Sequence, residues 1–80
     1  MKKIKVNDFN MDTYFGNIMY VEIDVFRFSK HEDFTWIDVE IEENGEYKFL
    51  EEINEEDAVV THEDLKKIAL NWIFNNVEVI

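Results

Sequence analysis

HEDFTWIDVEIEENGEYKFLEEINEEDAVVTHED, residues His31–Asp64, decides how this chain is read. It holds fourteen of the nineteen acids and one base, Lys48, for a net charge of −13. The other forty-six residues net +2, so the charge is segregated into the region with the clearest strand and turn signals. Phe34–Glu42 alternates: Thr35, Ile37, Val39 and Ile41 on one face, Phe34, Trp36, Asp38, Glu40 and Glu42 on the other. That is the period of a half-buried strand. Asn44-Gly45 then signals a hairpin, because both residues accept positive φ. A two-residue turn would set Ile41 against Lys48 and Glu42 against Tyr47, apolar against polar on each face. A three-residue loop, Glu43-Asn44-Gly45 with Gly45 as a left-handed bulge, aligns Ile41 with Tyr47 and Val39 with Phe49, and is the form expected. Glu51–Asp57 reads as a solvated acidic loop. Thr61-His62-Glu63-Asp64 opens a helix, with Thr61 as N-cap and acids in the first turn, where the helix dipole favours them.

Downstream, Leu65, Ile68, Ala69, Trp72 and Ile73 form one apolar helical stripe, with Leu70 and Phe74 nearly opposite. Val77–Ile80 reads as a terminal strand. Upstream, Ile18–Phe28 reads as one long strand, with Val21, Ile23 and Val25 inward and Tyr20, Glu22, Asp24, Phe26 and Phe28 outward. Ser29–Asp33 follows as a polar loop that pairs Phe28 with Phe34. Asn7–Asn17 reads as a loop or short helical turn, whose Phe9, Met11, Tyr14 and Phe15 cover part of the core. Lys2–Val6 reads as a short edge strand. The expected fold is α+β: a single domain with an antiparallel sheet of three or four strands and one C-terminal helix packed on one face. Its expected core is Val21, Ile23, Val25, Ile37, Val39, Ile41, Tyr47, Phe49, Leu65, Ile68, Ala69 and Trp72.

Composition agrees with a folded chain. Apolar residues make up 46% and aromatics 15%, too rich for a disordered acidic tail. With eighty residues and no Cys, no disulfide or thiolate site supports the small core, so the aromatics carry that burden. The basic start MKKIKVNDFN lacks the apolar run of a signal peptide, and no segment reaches membrane-span length, so a cytoplasmic location is expected. Gly, Ala, Arg and Pro number five, against thirty-one Ile, Asn, Lys and Phe. Residues with AT-rich codons dominate, the bias of a low-GC bacterium or its phage. A net charge of −11 disfavours nucleic acid and anionic membranes as direct partners.

Motifs for chemistry are sparse. His31-Glu32-Asp33 and His62-Glu63-Asp64 offer metal-ligand types, but neither has the spacing of a calcium loop and there is no HExxH, so no metal or cofactor is expected. Ser29 and His31 share one short loop with no third orienting group. There is no Gly-rich phosphate loop and no GxSxG, so a binder is expected rather than an enzyme. The expected strand pairing puts Asp24 beside Asp38 and Glu22 beside Glu40, next to Phe26 and Trp36. Like charges directly opposite are destabilising, so stability alone would not select them. The expected partner-binding residues are therefore Glu22, Asp24, Trp36, Asp38, Glu40, Glu42, Glu43 and Glu46. The partner expected is a basic, nucleic-acid-binding protein such as a nuclease, with carboxylates standing where phosphates would sit. Anti-restriction, anti-CRISPR and nuclease-immunity proteins are similar in size and acidity, without a shared motif. The alternative is a small structural subunit or homodimer that buries Leu70, Phe74 and the sheet aromatics against another chain.

Overall fold

A computed structural model of the chain describes residues 3–4, 9–54 and 61–79. The elements in chain order are β1 (Lys3–Ile4), β2 (Phe9–Phe15), β3 (Ile18–Ile23), β4 (Phe26–His31), β5 (Trp36–Glu43), β6 (Glu46–Asn54), α1 (His62–Asn76) and β7 (Glu78–Val79). Strands β2 to β6 form one antiparallel sheet in which each strand lies beside its sequence neighbour. Helix α1 packs on one face of it, over β3 and β4. The architecture is the expected α+β, with a sheet of five strands where three or four were expected. β1 and β7 make a separate parallel pair, with Lys3 beside Glu78 and Ile4 beside Val79. Lys2, Lys5, Val6 and Ile80, which complete the two expected terminal strands, lie outside the described residues.

Two local readings change, and together they enlarge the sheet. Residues 9–15 are a strand, not a loop or helical turn. The Gly16-Asn17 pair is the turn of a hairpin that sets Phe15 opposite Ile18, with Gly16 at φ +63°. The side chains of Phe9, Met11 and Tyr14 lie outside the described residues, and Phe15 is exposed. The long strand Ile18–Phe28 is also two strands. Asp24 adopts φ +53°, and the chain reverses at Asp24-Val25 so that Ile23 meets Phe26 and Val21 meets Phe28. Asp is among the few side chains that enter the left-handed region at modest cost. A turn of this length shifts the alternation by one, so Phe26 and Phe28 face the helix beside Val21 and Ile23, rather than outward. Ser29–His31 continue β4 and are not a loop. Phe28 consequently pairs with Val39, not Phe34.

The β5–β6 hairpin corrects the bulged loop. Asn44 and Gly45 both have positive φ, +54° and +83°, and Glu43 pairs with Glu46 across a two-residue turn. The twist of such a turn matches that of the strands, which favours it over the longer loop. The apolar-against-polar mismatch is real near the tip: Ile41 lies opposite Lys48 and Glu42 opposite Tyr47. A bulge does resolve it, but further along. The register steps from Glu40–Phe49 to Val39–Glu51, which leaves Leu50 as the extra residue and returns Ile53 to the core face opposite Ile37. Tyr47 and Phe49, expected in the core, sit on the other face. Glu51–Asn54 belong to β6, not to an acidic loop; residues 55–57 lie outside the described residues.

The helix begins where the sequence placed it. Thr61 Oγ1 accepts from the Asp64 N–H at 3.2 Å, and Asp64 Oδ2 accepts from the Thr61 N–H at 3.1 Å, a reciprocal cap. The core comprises Met19, Val21, Ile23, Phe26, Phe28, Ile37 and Val39 of the sheet, with Leu65, Ala69, Ile73 and Val77. Val25, Ile41, Ile53, Ile68, Leu70 and Trp72 pack around it half-buried. The Trp72 ring meets Phe26 and Phe28 edge-on, with centroids 5.4 and 5.7 Å away. Lys30 is buried on the core face and donates to the His31 carbonyl at 2.6 Å. Among the described residues, no helix is long and apolar enough to cross a membrane.

Candidate functional site

The face of the sheet away from α1 follows from the register. It carries Tyr20 and Glu22 from β3, Arg27, Ser29 and His31 from β4, Trp36, Asp38, Glu40 and Glu42 from β5, and Tyr47, Phe49 and Glu52 from β6. Strand β4 lies between β3 and β5, so the expected pairs Asp24/Asp38 and Glu22/Glu40 do not form. The one arginine of the chain, Arg27, stands between Glu22 and Glu40 instead. Its Nε and Nη2 donate to the two Glu40 carboxylate oxygens at 3.0 and 3.1 Å. Its guanidinium lies 3.8 Å from the centre of the Tyr47 ring and 5.0 Å from that of Tyr20. Ser29 Oγ donates to Glu40 at 3.0 Å, and the Tyr47 hydroxyl donates to Glu22 at 3.3 Å.

This network fixes charge states as well as side chains. Burial pulls the Arg27 pKa down, but the hydrogen bond and negative charge of Glu40 outweigh it and hold the pKa above its ordinary value. Burial, reinforced by the Glu22 carboxylate, pushes the Tyr47 phenol up, so it remains an O–H donor.

Beside the network lies an aromatic row. His31 stacks on Phe34 with ring centres 4.6 Å apart, and Phe34 stacks on Trp36 at 4.4 Å with planes only 10° apart. The turn after β4 holds the row in place: Asp33 N–H donates to His31 Nδ1 at 3.1 Å and Phe34 N–H to the His31 carbonyl at 3.1 Å. Row and network together wall a cup of about 240 Å³, with Tyr20, Phe34 and Trp36 on its apolar side and Arg27, Asp38 and Glu40 on its polar side. Arg27 and Glu40 pair with each other, whereas Asp38 has no salt bridge among the described residues. Burial, with a smaller contribution from the Glu40 charge, raises its pKa. Its partner across β5–β6 is another acid, Glu52. A like-charged pair opposite each other thus does occur on this face, one strand over from where the sequence placed it.

The expected site residues divide between this face and one end of the sheet. Glu22, Trp36, Asp38, Glu40 and Glu42 share the face. Asp24 occupies the β3–β4 turn, and Glu43 and Glu46 flank the neighbouring β5–β6 turn; the two turns lie side by side, with the Glu42 N–H bonded to the Val25 carbonyl at 2.8 Å. Glu43 meets Lys48 at 3.1 Å. Glu42, Glu46, Glu51 and Glu52 take part in no salt bridge among the described residues. Arg27, Tyr20, Ser29, Tyr47 and Glu52 were missed as members. A signal for Arg27 exists in the sequence: apolar residues step by two through Val21, Ile23 and Val25, and a second series, Phe26 and Phe28, starts beside Val25 out of phase. That break marks the turn which carries Arg27 to the outer face. His31 and His62 lie on separate elements, and among the described residues no three His, Asp or Glu side chains converge as a metal set. No family model, curated protein or solved structure matches the chain.

Proposed function

We propose that this chain is a small acidic inhibitor that binds, without catalysis of its own, the basic nucleic-acid-binding surface of another protein, as anti-restriction, anti-CRISPR and nuclease-immunity proteins do. The observation that supports this reading most is the composition of β6. It is one of the two edge strands of the sheet, and among the described residues its exposed Glu46, Glu51 and Glu52 have no cationic partner. Between them Phe49 is 61% exposed and Leu50 45%. Unneutralised carboxylates steer a basic surface into contact, and adjacent exposed apolar groups supply the desolvated anchors that charge alone does not. A cytoplasmic setting, in a low-GC bacterium or its phage, is part of the same proposal.

Reversing Glu46, Glu51 and Glu52 to Lys tests it. These three are preferable to Glu40, whose reversal would break the Arg27 pair. A nuclease captured from lysate at low salt by the parent protein should be lost by the triple variant, while thermal unfolding changes little, because exposed charges contribute little to stability. Equal capture by both would leave the charge as a solubility device. Phe74, 60% exposed on α1, favours a second reading, a subunit or homodimer packed through the helix. Sedimentation separates the two: a salt-resistant dimer that dissociates on Phe74→Ser would put the second reading first.

A further inference from the structure

We propose that the cup on the outer sheet face receives an arginine side chain of the basic partner. This rests on the reading that the acidic surface meets a basic protein, and it adds where the partner's charge is seated and which residue carries it.

Three features select a guanidinium. The first is charge. Within the cup Arg27 already satisfies Glu40, whereas among the described residues Asp38 has neither a salt bridge nor a hydrogen bond, and it faces Glu52 across the strand pair. A cation beside Asp38 in the cup would offset the like charge of Glu40, which the fold otherwise sets against it. An anion would have to compete with Glu40 for Arg27, and an apolar group would strip water from Asp38 without replacing it. The second is shape. Phe34 and Trp36 lie nearly parallel, and Trp36 adjoins Asp38 two residues on along the same strand face. A planar cation can stack on such a ring while its edge donates two N–H groups to a carboxylate; an ammonium has no plane to stack. The third is precedent within the molecule. Arg27 already makes this pair of contacts, a two-pronged bond to Glu40 with its face on Tyr47. Asp38 and Trp36 offer the same two contacts without the arginine.

The test is an NMR titration of isotope-labelled protein with N-acetyl-arginine amide, and separately with N-acetyl-lysine amide, which carries the same charge. The arginine probe should shift the Trp36 indole N–H and the amides around Ser29, Asp38 and Glu52 saturably, at least about fivefold more tightly than the lysine probe. The Trp72 indole, against the core on the other face, serves as internal reference. Asp38→Asn should weaken the arginine probe about tenfold or more, since it removes the charged half of the two-pronged bond. Asn fits the same space and removes a repulsion, so the variant should fold. Equal response to both probes, shifts spread over Glu46 and Glu51 instead, or unchanged binding in Asp38→Asn would each overturn the inference. A cup that ignores arginine while Glu46, Glu51 and Glu52 still capture a basic protein would remove this inference and leave the proposed function standing. Loss of the latter alone would leave the probe result intact.

Discussion

Arg27 and Glu40 face each other across β4 and β5 as a two-pronged pair, 3.0 and 3.1 Å, with the guanidinium plane seated on Tyr47. Both side chains are three-quarters or more withdrawn from water. Arg27→Lys keeps the charge but loses the second bond and the planar stacking surface. It should lower stability by about 1–2 kcal/mol, read as an earlier denaturant midpoint at an unchanged slope. A midpoint equal to the parent's would mean that the pair is no more than surface charge.

The Asn44-Gly45 turn places Gly45 at φ +83°, and a Cβ there would meet nothing within 4 Å. Any penalty for Gly45→Ala is therefore backbone strain alone, about 1–2 kcal/mol. Gly16→Ala, at φ +63° and equally open, should behave alike. Unchanged melting in both variants would contradict the positive φ at these two turns.

Trp72 should be needed for its ring and not for its nitrogen. Among the described residues its Nε1 is buried without a hydrogen-bond partner. Trp72→Ala should cost on the order of 3–5 kcal/mol, much of the stability that a chain this small possesses. Trp72→Phe keeps the edge contacts to Phe26 and Phe28 and removes the orphaned N–H, so it should cost far less. Similar losses in the two variants would show that the nitrogen does find a partner.

Asp38 gives the chain an acid-side gain. Its pKa is raised above the ordinary 3.8, so the folded state holds this proton more tightly than the unfolded chain does. Ionised Asp38 therefore costs stability near neutral pH, and the cost is relieved as pH falls through the folded value. Asp38→Asn should unfold later than the parent at about pH 7, with the gap narrowing toward about pH 4. A gap that widens as pH falls would reverse the sign of the argument.

What the sequence made legible was whatever a single element encodes by itself. The Thr61 cap, the Leu65–Ala69–Ile73 face and the inward Ile37 and Val39 all follow from spacing along one segment. What it hid depends on parity between segments. Reading Ile18–Phe28 as continuous put Phe26 and Phe28 outside and brought the acids of β3 next to those of β5. One reversal at Asp24-Val25 inverts both conclusions and inserts Arg27 between the acids. The β5–β6 mismatch was visible, but hydrophobic pattern cannot say whether a bulge sits at the tip or beside Leu50; the preference of Asn-Gly for its own turn decides that. The cup could not be read at all, because its walls come from four places that only the sheet order brings together.

The pairing of β1 with β7 bears on the order of assembly. In the main sheet every strand joins its sequence neighbour, so each hairpin can close over a short loop. Lys3 and Glu78 instead lie seventy-five positions apart, and closing so long a loop costs more entropy than the two described residue pairs return on their own. That contact becomes favourable only after α1 has docked and delivered β7. It is a latch that fastens after the rest has formed and, in the folded protein, the segment most readily unfastened without melting the core.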